Sequence, residues 1–374
     1  MNSKTYDACF ITFTELLSDA RTLNTANSLI KNNKKVAIIA FADENEIQFF
    51  KNSKIDLYSI PYPKSKKIWY RWFYFCNKSK LLKGAIKSEV LWAADLYSLY
   101  SARNISKETG SILYYDSREI YSALGPLANQ KLKQKIIALI EKRSIKKVNK
   151  IIVSGELDAE YLKNHFKNGK SYEVIMNLPP YSIPQKSNFI REKLNIPDNN
   201  IILIYQGMLL PGRGLEKAIE SLQYINNSVL VIVGDGYFKT YLQQLTRKLK
   251  LTERVFFCGR VPYNELFKWT CSADIGLVLI EPISLSYKLA LPNKLFEYCI
   301  ANVPSIVSDL PAMRKIIEKY NIGKLIPTDS RPNAVALAIQ EVYNNKNSYT
   351  EFCKTAAMEL NYESQEKVIL SLFN

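Results

Sequence analysis

The sequence predicts an α/β protein made of two Rossmann-like, doubly wound domains facing a central cleft. Three observations point there. Short apolar runs, often β-branched, alternate with amphipathic stretches of helical length from one end of the chain to the other. The rhythm breaks once, at 177–188 (NLPPYSIPQKSN), where three prolines and several polar residues read as a linker. The chain has 374 residues, 47% hydrophobic and 23% charged, enough apolar surface for two folded cores.

In the first half the strand-like runs are Ala8–Phe13, Val36–Ala40, Ile55–Ile60, Glu89–Trp92, Ile112–Tyr115, Ile151–Ser154 and Glu173–Met176. After the linker they are Ile201–Tyr205, Val229–Val233, Val255–Phe257, Ile275–Ile280, Ser305–Val307 and Lys324–Ile326. Polar–apolar segments separate most of them, as expected for a parallel sheet with helices on both faces. Ligands of such sheets bind beyond the carboxyl ends of the strands.

Composition removes several chemistries. The lone histidine, His165, lies at a polar helix end, so a His-based metal site or a Ser-His-Asp triad lacks its imidazole. The six cysteines are scattered, with no CxxC pair, and read as buried free thiols in a reducing compartment. No segment has the roughly 18 uninterrupted apolar residues of a membrane span. The N-terminus reads as a first strand and not as a signal peptide. Charge is uneven: residues 1–185 carry 29 Lys and Arg against 17 Asp and Glu, a net of +12, and residues 186–374 carry 22 against 18, a net of +4. The basic half implies an anionic partner, or only a Lys-rich, soluble surface.

Two stretches carry candidate chemistry. In IYQGMLLPGRGLEKAIESL (204–222) a buried strand enters a loop with Gly207, Gly212 and Gly214, and a helix begins near Leu215. Arg213 stands at that junction, where a guanidinium can clamp a phosphate beside a helix N-terminus. In LPNKLFEYCIANVPSIVSDLP (291–311), Asn293 is placed to cap a two-turn helix that carries Lys294 and Glu297 on one face. A helix N-terminus beside a lysine suits a diphosphate, and Glu297 suits a pair of ribose hydroxyls.

These stretches, with VGDG (233–236) and FFCGRVPYNELFKWTCSADIGLV (256–278), resemble the donor domain of the family-4 retaining glycosyltransferases, the group 1 type with a GT-B fold, over about residues 201–345. The first half resembles the family more thinly, in SDARTLNTANSLIKNNKKVAIIAF (18–41) and ILYYDSREIYSAL (112–124). MELNYESQEKVILSLF (358–373) resembles the tail helix that returns to the first domain. The resemblance implies an acceptor-binding domain at 1–183, a nucleotide-sugar donor domain at 184–355, and a helix at 356–374 packed back on the first. It implies that Glu297 binds the donor ribose and that Arg213 and Lys294 neutralise the diphosphate. Gly207 and Asn293 belong to the same loop and helix start. Gly259, Arg260, Val261 and Pro262 would lie against the base, and Gly234 and Gly236 would line the nucleotide cleft. Asp19, Arg21, Arg118 and Glu119 would face the cleft from the acceptor side.

Three positions depart from the family pattern. Leu289 stands where many members have the first of two glutamates seven residues apart, so Glu281 or the backbone of 284–290 would take its part. Met208 stands where a basic residue often follows the first glycine. Arg118 stands for the usual cleft histidine. The activity implied is transfer of a sugar, UDP-linked more often than GDP-linked in the family, to a lipid-linked or glycan acceptor with retention. No cofactor and no metal are expected, and no DxD-like pair suggests one. A nucleotide-sugar epimerase or hydrolase of the same fold, or a non-catalytic binding relative, would share these features. Nucleic acid is not an expected partner, because no recognised motif accompanies the charge.

Two basic segments suggest where the protein works. Residues 64–87 combine many lysines and no acid with Trp69, Tyr70, Trp72, Phe73, Tyr74 and Phe75. Residues 131–150 form a basic helix with an apolar stripe through Leu132, Ile136, Ile137, Leu139 and Ile140. Both read as a peripheral contact with an anionic, cytoplasmic membrane face, or else as core aromatics with solvated lysines.

Overall fold

The computed structural model describes residues 4–65, 67–82, 84–127 and 129–373. Lys66 and Lys83 of the basic segment lie outside the described residues. The chain divides into two compact units, one of residues 1–177 and 365–374, the other of residues 178–364.

Unit 1 holds β1 (Lys4–Glu15), β2 (Val36–Phe41), β3 (Ile55–Ile60), β4 (Ile86–Ala93), β5 (Ile112–Ser117), β6 (Lys150–Val153) and β7 (Ser171–Val174). Their order in the sheet is β3-β2-β1-β4-β5-β6-β7, and every pairing is parallel. β2 is wholly buried and β1 is buried from Ala8 to Phe13, as strands covered on both faces must be. Unit 2 holds β8 (Ile201–Gln206), β9 (Ser228–Val233), β10 (Val255–Gly259), β11 (Ile275–Val278), β12 (Ser305–Ser308) and β13 (Gly323–Ile326), in the order β10-β9-β8-β11-β12-β13 and again parallel. Both orders are the doubly wound Rossmann arrangement, with the strand order reversing between β1 and β4 and between β8 and β11. Each expected strand forms, with shifts of a few residues at its ends. β11 stops at Val278, so Glu281 lies three residues beyond the strand.

The unit boundary falls at 177/178, at the start of the linker stretch and not at 183/184. Residues 178–183 belong with unit 2, because the Tyr362 amide donates to the Pro179 carbonyl at 2.9 Å and the Tyr181 amide to the Glu363 carboxylate at 2.8 Å. The tail is two pieces and not one helix over 356–374. A helix at Lys346–Ala357 belongs to unit 2, and only from Gln365 does the chain join unit 1. There the Gln365 side chain accepts from the Met176 amide at 2.6 Å and donates to its carbonyl at 3.0 Å. Tyr114 donates its hydroxyl to the Leu372 carbonyl at 2.7 Å, and Phe373 stacks on Trp92. Asn361 causes the break: its side chain bonds back to the Ala357 and Met358 carbonyls and accepts from the Ser364 amide, which ends the helix in a tight turn.

The basic aromatic segment forms the helix Ile68–Leu81, and its aromatics divide by face. Phe75 is fully buried and Trp72 and Tyr74 are half-buried, whereas Trp69, Tyr70 and Phe73 are exposed. The helix Lys131–Ser144 leaves Leu132, Ile136, Leu139 and Ile140 exposed. Among the described residues no helix is long and apolar enough to cross a membrane. All six cysteines are free thiols, five of them buried.

Candidate nucleotide and acceptor sites

In unit 2 the site forms where β8, β9 and β10 end. β8 is apolar up to its last residue, Gln206, which is buried. The loops that follow are stitched edge to edge: the Gly207 amide donates to the Val233 carbonyl at 2.9 Å and the Gly234 amide to the Gly259 carbonyl at 2.7 Å. Gly234 has φ +144°, and a Cβ there would fall 1.9 Å from the Gly207 carbonyl oxygen, so only glycine permits the approach. At Gly236 a Cβ would fall 2.3 Å from the Leu209 carbonyl oxygen. The loop after β8 then runs against the segment after β11. The Glu281 amide donates to the Gly212 carbonyl at 2.9 Å, and Gly214, with φ +71°, leaves no room for a Cβ beside the Leu279 carbonyl before the helix Leu215–Ser221 begins.

The helix Asn293–Ile300 brings two charged groups to this point. Pro292, in extended conformation, is its N-cap, and Asn293 is its first helical residue, exposed and making no capping bond. Asn293 is therefore not the cap that its sequence context suggested: the proline occupies that position, and the chain is already helical at Asn293. Lys294 is buried, with Nζ 3.6 Å from the centre of the Tyr205 ring. Burial and the nearby Arg213 charge push its pKa well below the usual lysine value. Glu297, one turn on, accepts a hydrogen bond from the Gln206 amide, whose oxygen accepts from the Thr270 hydroxyl at 2.9 Å. Burial raises the Glu297 pKa, and the Gln206 bond and Lys294 oppose the rise. Arg213 rests with Cζ 4.4 Å from the centre of the Tyr287 ring.

Beside Glu297 opens a cavity of about 270 Å³, lined by Gln206, Thr270, Glu297 and Ile300, by Tyr263, Asn264, Leu266 and Phe267, and by Pro179, Pro180 and Ser182. Gly259 ends β10, Arg260 is exposed, Val261 is half-buried, and Pro262 precedes the helix Tyr263–Cys271 whose first turn forms one cavity wall. Arg213, Lys294 and Glu297 thus converge at the end of β8, and Glu281 joins through its backbone. Sequence reasoning missed Tyr205, Gln206, Thr270 and Tyr287. Gln206 alone left a signal, as the polar last residue of an apolar strand.

In unit 1 the strand ends carry a buried ionic network. Arg21 donates to both Asp116 oxygens at 2.7 and 2.8 Å and to the Ile175 carbonyl at 2.6 Å. Arg118 donates to Asp19 at 2.7 Å and to the Thr22 hydroxyl at 2.7 Å, with a longer contact of 3.4 Å to Asp116. Burial would raise the Asp19 pKa, but Arg118 and the Thr22 bonds more than offset it and hold the carboxyl below its usual range. Arg21 and Asp19 are 6% and 5% exposed. The sequence reading set both on the acceptor side of the cleft; within unit 1 each is neutralised inside this network. Arg118 is half-buried and Glu119 exposed. Asp95, also missed, caps the helix Leu96–Thr109 through one oxygen, and its other oxygen, Oδ2, is buried without a partner among the described residues.

Comparison with known proteins agrees with this layout. Residues 186–358 match the family model of the glycosyl transferases group 1. An uncharacterized glycosyltransferase of Methanocaldococcus jannaschii, MJ1607, is 27% identical over 179 residues, 46% of this chain and 43% of that protein. The putative teichuronic acid biosynthesis glycosyltransferase TuaC of Bacillus subtilis is 27% identical over 41% of this chain and 36% of that protein. The matches therefore span less than half the length of these relatives. Among solved structures, a sucrose-phosphate synthase of Thermosynechococcus elongatus superposes with a TM-score of 0.82 at 15% identity, covering 98% of both chains. Alr3699/HepE of Anabaena, in complex with UDP-glucose, superposes with a TM-score of 0.75 at 14% identity over 98% of this chain and 99% of that one. Residues 186–358 are thus similar to the glycosyl transferases group 1, and the two parallel-sheet units have the GT-B fold of the solved structures.

Proposed function

We propose that the chain moves a sugar from a nucleotide-sugar donor, UDP-linked, to a lipid-linked or polysaccharide acceptor with retention, in the assembly of a cell-surface glycan. The observation that carries this reading is the convergence of Arg213, Lys294 and the Gln206–Glu297 pair at the carboxyl end of β8. Along the helix Asn293–Ile300 the groups follow the order of a nucleoside diphosphate. Lys294 stands at the phosphate end, Glu297 suits the ribose, and Ile300 borders the cavity available to the base. Met208 is exposed, and Lys294 Nζ lies beside Gly207, so the charge that Met208 lacks is supplied from this helix.

As the bond from the anomeric carbon to the donor oxygen breaks, charge gathers on the diphosphate, and fixed cations beside a helix N-terminus lower that barrier. The acceptor oxygen attacks the same face, and its proton passes to the departing phosphate oxygen. No protein nucleophile and no metal enter this scheme. That Alr3699/HepE was crystallised with UDP-glucose, and that TuaC is named for teichuronic acid biosynthesis, support a UDP-sugar donor and a polymer acceptor here by likeness.

A peripheral contact with an anionic membrane face, on the cytoplasmic side, belongs to the same proposal. The exposed Leu132, Ile136, Leu139 and Ile140 share a helix with Lys131, Lys133, Lys135, Lys142 and Arg143, and Trp69 and Phe73 are exposed on a second basic helix.

Thermal shift and calorimetry with UDP, GDP, UDP-glucose and GDP-mannose test the donor reading, because a ligand of the folded state raises its stability. UDP and a UDP-sugar are expected to bind. Absence of binding by every nucleotide at millimolar concentration overturns it, and release of UDP or a new hexose with no acceptor present favours a hydrolase or epimerase instead.

A further inference from the structure

We propose that Tyr287 is a positioning residue for the donor diphosphate, its ring holding Arg213 ready to meet a phosphate. The inference rests on the donor-site reading above and adds a residue to it. Arg213 and Lys294 are like charges close enough for one to depress the other's pKa. Among the described residues neither has a carboxylate within ion-pair distance. Each lies instead on the face of a tyrosine, Arg213 on Tyr287 at 4.4 Å and Lys294 on Tyr205 at 3.6 Å. The negative face of an aromatic ring attracts a cation, more strongly where water is excluded.

The two cations differ in what else restrains them. Lys294 is anchored in a helix. Arg213 sits in a loop between Gly212 and Gly214, with φ +77° and +71°, so no adjacent side chain braces it. Among the described residues its guanidinium donates no hydrogen bond. All five N–H donors therefore remain for an incoming anion. The ring that supports it is itself fixed. Tyr287 is 7% exposed, its amide donates to Ser284 Oγ at 3.3 Å, and its edge packs where a Cβ on Gly212 would sit only 3.1 Å away. A rigid ring that restrains a cation without using its donors is preorganisation, which reduces the ordering cost of binding.

Binding of UDP and of uridine to the wild type, Tyr287→Leu and Tyr287→Phe, by calorimetry and ligand-observed NMR, separates the phosphate contribution from the nucleoside. Tyr287→Leu is expected to weaken UDP about 3- to 30-fold and to leave uridine unchanged, while Tyr287→Phe, which keeps the ring, restores wild-type binding of both. UDP affinity unaltered in Tyr287→Leu, or equal losses for UDP and uridine, overturns the proposal while the donor site stands. A wild type that binds neither UDP nor uridine overturns the donor-site reading and this inference together.

Discussion

At the residue scale, Glu297 and Arg213 belong to the same site but make different contributions. Glu297 would contact the donor through hydrogen bonds present before and during reaction, so Glu297→Ala is expected to weaken donor binding roughly 10- to 100-fold with a smaller change in turnover at saturation. Arg213 would meet charge that develops as the diphosphate departs, so Arg213→Ala is expected to lower turnover by about two to three orders of magnitude. Steady-state kinetics over a range of donor concentrations checks both. If the two variants lose the same parameter, the assignment of roles is wrong. A third residue reports on stability. Glu141 is buried, accepts from the Tyr115 hydroxyl at 2.7 Å, and is pushed by burial from 4.5 up to about 7. Between those values the folded chain keeps a proton that the unfolded chain has lost, so stability falls as pH rises through the window. Glu141→Gln keeps an acceptor for Tyr115 and cannot ionise. Denaturant melts are expected to show its advantage over wild type growing from pH 5 to pH 8, on the order of 1–3 kcal/mol.

At the element scale, the central strands were readable in the sequence because burial on both faces demands unbroken apolar, β-branched runs, as at 201–205. The half-buried edge strand 55–60, with Asp56 and Ser59, was instead read to the residue from its alternation with helical segments. The helix 293–300 was readable as an element but not at its start. Proline and asparagine are both plausible at a helix entrance, and only the extended backbone at Pro292 shows which one stands outside. Glu297 was legible because it stands one turn beyond Lys294 in a long patterned motif that resembles a family's donor site. Tyr287 was not, since a tyrosine in a polar loop says nothing of the arginine 74 residues earlier that it meets in space. Arg21 and Asp116 were invisible as a pair for the same reason, being 95 residues apart. The helix 131–144 supports its own prediction. Sedimentation with vesicles containing anionic lipid is expected to carry the protein down, less so as salt rises. Changing Leu132, Ile136 and Ile140 to Ser is expected to abolish this with little change in melting temperature, because all three are exposed. Arg71 is a poor choice for such a test: its guanidinium lies over the Phe13 and Phe41 rings, 5.6 and 5.4 Å from their centres, so its loss would also disturb the core. Equal sedimentation with neutral vesicles, or none with either, points to a soluble acceptor.

At the scale of the whole molecule, the last ten residues complete unit 1, supplying the Gln365–Met176 bonds, the Tyr114–Leu372 bond and the Phe373 ring on Trp92. Removal of 365–374 is expected to lower the stability of unit 1 by several kcal/mol, while a UDP-induced stabilisation of unit 2 persists. Calorimetric melting with and without UDP checks this, and loss of the UDP response would mean that the nucleotide site needs the tail. The hydrogen bond from Tyr362 to Pro179 has a further consequence. It joins the point where the chain enters unit 2 to the point where it leaves, so a folded unit 2 works as a clasp. The closing segment is then tethered near Met176 at high effective concentration, instead of searching on a free loop of nearly two hundred residues. Because 365–374 follows unit 2 in the chain, synthesis is expected to deliver these contacts to unit 1 only after unit 2 has emerged.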